Sequence, residues 1–169
     1  MTHLVLIFAL LTGVVLQAVL PATWAWLGAA PAPVLLGVVL YVALAHSQMR
    51  MLGCALAAGL LQDALGQIPL GYSSFGFCLA GLAAHRFQDE VFPHAGVTHA
   101  VFGAVAGGLV TLVLYVLLGK DGNLGLSSPV WATKKIAGAA LLGALVTPVE
   151  CWLLAHLELR LGSRPREER

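Results

Sequence analysis

Charge is scarce in this 169-residue chain: Asp, Glu, Lys and Arg make up 10% of it, against about 25% in a soluble globular domain. With 59% hydrophobic residues and a mean hydropathy of +0.89, that scarcity excludes a water-soluble fold and points to an all-α integral membrane protein. A net charge of +1 with no basic run leaves nothing to neutralise a phosphate backbone, which excludes nucleic acid as a partner. Cysteine is scarce too. Cys54, Cys78 and Cys151 all fall inside apolar runs; an odd number in hydrocarbon is no disulfide framework, and the spacing fits no zinc site. They read as small packing residues.

Reactive groups are equally thin. Catalysis needs convergent nucleophiles, acids and bases, and Asp63 and Glu150 are the only acidic residues well inside apolar runs. The six histidines, His3, His46, His85, His94, His99 and His156, mostly sit at run ends, and no HExxH pair accompanies them. Ser73 and Ser74 have no histidine nearby in sequence to act as base. The glycines follow helix-packing spacing rather than the turn of a phosphate-binding loop. The expectation is no enzyme, no cofactor and no metal.

What the chain does have is apolar length. Six runs cover about 4–26, 33–46, 51–65, 72–87, 97–118 and 136–157, forming one helical domain over 1–161 before a charged tail, 162–169. The first lacks a preceding Lys or Arg and exceeds the roughly 7–15 apolar residues of a signal-peptide core, so it reads as a retained span. It ends in Pro21, Trp24 and Trp26, suited to an interfacial belt. Runs two to four are short, about 21–24 Å as helix against a hydrocarbon core near 30 Å. They must cross a thinned bilayer, borrow polar residues at their ends, or lie behind longer helices, and the second is alternatively re-entrant. Ser47-Gln48-Met49-Arg50 is the expected turn between runs two and three.

With six spans and a cytoplasmic N-terminus, Arg50, Arg86, Arg160, Arg164, Arg166 and Arg169 fall inside, and Lys120, Lys134 and Lys135 outside. That bias places both termini in the cytoplasm. Helix contacts are written in small residues at Gly53-x3-Ala57, Gly76-x3-Ala80-x3-Ala84, Gly103-x3-Gly107 and Ala139-x3-Gly143, where backbones can approach closely. Most such faces pack the bundle itself; at least one is a candidate for a partner helix. Glu150 follows Pro148, expected to kink the last helix. Its inner-side position makes Arg50 or Arg86 the candidate partner in a buried ion pair.

The most distinctive stretch is Gly59-Leu60-Leu61-Gln62-Asp63-Ala64-Leu65-Gly66-Gln67-Ile68-Pro69-Leu70-Gly71. Gly66 can take the left-handed conformation that ends a helix, and Pro69 can open the next one. Asp63 then lies in the last turn of a helix, where the carbonyl end repels a carboxylate, and partly inside the bilayer. Something must answer it: amides near Leu70 to Tyr72 and the hydroxyls of Ser73 and Ser74, Lys134 or Lys135, or a group on another protein.

Gly59-x3-Asp63-x5-Pro69-Leu70-Gly71, in a chain of this length and layout, resembles the MreD family of bacterial rod shape-determining membrane proteins. The resemblance carries Gly59, Gln62, Asp63, Pro69, Leu70 and Gly71 over as motif or partner-binding residues. It implies a non-enzymatic scaffold in the inner membrane, within the complex that elongates the lateral peptidoglycan wall. Its implied partners are the single-span MreC and, through it, the RodA glycosyltransferase, a class B penicillin-binding protein and MreB. The fold it implies resembles the substrate-binding subunit of energy-coupling-factor vitamin transporters. That supplies the competing function, in which Gln17, Gln62, Asp63, Gln67 and Tyr72 would converge on a vitamin-sized ligand near the outer face.

Overall fold

The computed structural model describes residues 2–19, 32–66, 68–87, 96–120 and 129–160. They form six helices and, among these residues, no strand: α1 (Thr2–Val19), α2 (Val34–Ala45), α3 (Gln48–Gly66), α4 (Tyr72–Arg86), α5 (Gly96–Lys120) and α6 (Pro129–Arg160). The tryptophan pair, Gln67, His94 and the charged tail lie outside the described residues.

Two boundaries differ from the sequence reading. The turn between α2 and α3 is only His46–Ser47, because Gln48, Met49 and Arg50 are strong helix formers and join α3; Met51 N–H donates to the Ser47 carbonyl at 3.1 Å. The last helix begins at Pro129, where proline suits a first turn, and runs unbroken through Pro148. Its 32 residues reach about 48 Å.

The shortest helix is the centre of the bundle. Residues Val34 to Ala43 of α2 are buried on every side, and α2 touches all five other helices. Its sequence is apolar without periodicity, as expected of a helix with no solvated face. A 12-residue helix of about 18 Å therefore never has to match the bilayer alone; its neighbours shield it. The two membrane-length helices, α5 and α6, turn Val97, Val101, Val105, Leu112 and Val116, and Leu141, Leu145, Val149 and Trp152, outward. In water such stripes would be an aggregation surface. In lipid they are ordinary.

Pairwise contacts fix the helix directions. Gln17 of α1 meets Gln62 of α3, His85 of α4 meets Ala43 of α2, and Glu158 of α6 meets Tyr41 and His46. Odd-numbered helices thus run one way and even-numbered ones the other, so the α3–α4 turn lies at the end opposite Arg50 and Glu158. The small-residue faces do most of the packing. A methyl group at Gly103 would overlap the Gly143 carbonyl and the Thr147 side chain, and one at Gly107 would lie 2.6 Å from the Ala139 carbonyl. Gly76, Ala80 and Ala84 are buried, Gly76 against Val110 of α5. Only the Gly53-x3-Ala57 face differs: both residues are exposed, and nothing lies within 4 Å of a Cβ built on Gly53.

Candidate functional site

The α3–α4 turn is a single built unit. Gly59 lets α4 approach until a side chain there would overlap the Ser74 backbone, and Ser74 Oγ donates to the Leu56 carbonyl at 3.2 Å. The last turn of α3 closes through Ile68 N–H to the Asp63 carbonyl at 3.1 Å. The left-handed residue is Gly71, with φ +103°, rather than Gly66. Pro69 stays in the turn, and α4 starts three residues later at Tyr72, since a left-handed residue cannot continue a helix begun at Pro69.

Asp63 is fully buried, and both carboxylate oxygens are used. Gly71 N–H donates to Oδ2 at 2.7 Å and Ser73 N–H donates to Oδ1 at 3.0 Å. The repulsion expected at the end of α3 is answered by the positive N-terminus of α4, which presents otherwise unpaired amides. Of the motif residues, Pro69 and Leu70 are turned outward, Leu70 at 72% exposed. Asp63→Leu strands the buried Ser73 amide, worth about 1–3 kcal/mol, and the half-buried Gly71 amide, whereas Asp63→Asn keeps one acceptor. Thermal unfolding in detergent should therefore rank wild type above Asn above Leu; a Leu variant as stable as the Asn variant would remove the capping role.

The expected ion pair of Glu150 with Arg50 or Arg86 is not what forms. Among the described residues neither oxygen of Glu150 has a hydrogen-bond partner; the carboxyl lies directly against the α2 backbone, where Gly37 leaves room for it. Arg86 is exposed at the end of α4. The buried carboxylate with partners is instead Glu158, eight residues or about 12 Å further along α6. Tyr41 donates to Glu158 Oε2 at 2.8 Å, His46 Nε2 lies 3.3 Å from Oε1 without hydrogen-bond alignment, and Arg50 acts on the same carboxylate electrostatically. Both His46 and Glu158 side chains are 1% exposed. The signal was in the sequence: Thr147, Cys151, Leu154 and Glu158 share one buried stripe at helical spacing.

At the Asp63 end the bundle does not close completely. A cavity of about 170 Å³ is walled by residues from all six helices, and the Gln17–Gln62 hydrogen bond, 2.6 Å long, lies on its wall. Asp63 and Tyr72 are not among its lining residues. No cluster of three metal-ligating side chains occurs among the described residues. Of the other histidines, His85 Nδ1 contacts the Ala43 carbonyl at 2.9 Å, and His156 stacks on Trp152.

Six helices with an apolar exterior, enclosed carboxylates and a capped helix–turn–helix define an all-helical protein made for a membrane. A family model for rod shape-determining protein MreD matches residues 1–155. The chain belongs to that family of membrane proteins, with a role in determining rod shape. No curated protein matches the chain, and no solved structure matches it.

Proposed function

We propose that this protein is a non-enzymatic scaffold of the rod complex in the inner membrane, holding the transmembrane helix of MreC and supporting lateral-wall peptidoglycan synthesis. RodA, a class B penicillin-binding protein and MreB are then indirect partners. The observation that carries the reading is the α3 face: Gly53, Leu56, Ala57, Leu60 and Ala64 all face outward, while the other small-residue faces are closed by neighbouring helices. In lipid, small residues give close helix packing where no hydrophobic drive exists. Leu70, exposed beyond the same helix, adds a loop contact at the membrane edge. With the N-terminus cytoplasmic and six crossings, this turn faces the periplasm, where the Lys and Arg count places it.

The test is co-purification with MreC in mild detergent. Gly53→Leu with Ala57→Leu should leave the fold intact, since a Cβ at Gly53 meets nothing among the described residues, yet lower recovered MreC, because the added side chains hold a partner backbone away. Undiminished recovery would move the contact to another face.

A second reading, the substrate-binding subunit of an energy-coupling-factor transporter, is supported by the position of the cavity at the end of the bundle that carries the α3–α4 turn. Its volume, about 170 Å³, counts against it, because pockets for whole small-molecule ligands run about 300–1,000 Å³.

A further inference from the structure

We infer that the cavity at the Asp63 end takes one hydrocarbon chain of an anionic, hydroxyl-bearing phospholipid, with its headgroup held by Lys135 and Gln17. The walls are predominantly apolar, including Leu36 of α2, Phe77 of α4 and Val110 and Leu114 of α5. The same wall carries Gln17, Gln62, Thr111, Tyr115 and Lys135, so the polar side can hold water or a headgroup while the apolar stretch, lacking the two to four polar partners water needs, suits a hydrocarbon chain. An apolar cavity of about 150 Å³ takes up benzene, so 170 Å³ admits a chain segment on that scale and no complete vitamin. Within a bilayer, hydrocarbon is the surrounding solvent, and a void among helices forfeits dispersion contacts that a lipid chain restores.

Two polar features select the headgroup. Lys135, half-buried on the first turns of α6, lines the cavity and has no ion pair among the described residues. Among the described residues Gln17 Oε1 is buried without a hydrogen-bond partner, although its amide group is fixed by Gln62. An unpaired cation and an unpaired acceptor together match a phosphate diester carrying a free hydroxyl. A phosphate answers the ammonium, and a glycerol hydroxyl donates to the carboxamide. A zwitterionic choline head offers Gln17 no hydroxyl donor and brings a second cation to Lys135.

The full chain is reconstituted in vesicles of equal phosphatidylglycerol and phosphatidylcholine, extracted in mild detergent and weighed intact by native mass spectrometry. One phosphatidylglycerol per protein is expected, preferred over phosphatidylcholine about fivefold, the weight of one lysine near an anionic head. Lys135→Gln should abolish the preference while the neighbouring exposed Lys134→Gln leaves it, and Leu114→Phe should reduce retention of either lipid by filling the cavity. Equal effects of Lys134→Gln and Lys135→Gln would show bulk surface attraction only and overturn the site. So would no retained lipid, or a water-soluble molecule retained in its place. Should Leu114→Phe fail to fold, the two lysine variants decide the matter alone. The MreC test above uses the opposite kind of surface, so either proposal can fail without the other.

Discussion

Glu158→Leu is expected to lower the unfolding free energy by about 3–5 kcal/mol, the usual cost of leaving the partner of a buried pair uncompensated. The substitution strands the Tyr41 hydroxyl and a His46 ring that is almost fully enclosed, and it removes the carboxylate on which Arg50 acts. Replacing the partners as well, with Tyr41→Phe and His46→Leu beside Glu158→Leu, should recover most of the loss. A matched apolar set needs no desolvation of polar groups, and Arg50 has a long stem that can carry its charge outward. Glu150→Gln is the contrast: its carboxyl has no partner among the described residues to lose, so stability should stay within about 1 kcal/mol of wild type or rise. Midpoints from thermal or urea unfolding in a single detergent order these variants. If the triple variant is no more stable than Glu158→Leu, the cluster is not a coupled unit.

Gly103→Val should be the most damaging single change at a helix crossing. Its side chain would occupy space already held by the Gly143 carbonyl and Thr147, and a backbone carbonyl cannot rotate aside as a side-chain tip can. Over-packing of a well-filled interior costs about 1–3 kcal/mol, and this site belongs at or above that upper bound because it parts the two membrane-length helices along their shared face. Gly53→Val, in open space, should match or exceed wild type, since valine is a better helix former than glycine. A Gly103→Val protein melting with wild type would mean that α5 and α6 do not cross that closely.

Helix content was legible because hydropathy alone separates apolar runs from polar breaks, and six runs gave six helices. The turn was half legible. Gly59, Asp63 and Gly71 were marked as special, but whether amides or another protein answered Asp63 depended on where the start of α4 falls, a tertiary fact. The identity of the left-handed glycine was misplaced by five residues for the same reason. Glu158 was missed because the last run was ended at 157; the helix continues to Arg160 and turns that residue inward. The cavity was beyond reach of the sequence except for Gln17 and Gln62, since its walls come from all six helices and no local pattern brings those together.

The burial of α2 on every side bears on how the protein is made. It is synthesised before α3, α4, α5 and α6, which build most of its walls. Twelve residues are fewer than the roughly 20 that hold a helix across a bilayer unaided. Among the described helices, α1 alone is made earlier, with Gly13 against Val34 and Leu35. The order of synthesis and the order of assembly therefore diverge. The wall around the central helix is complete only with α6, which bears Glu150 and Glu158, in place.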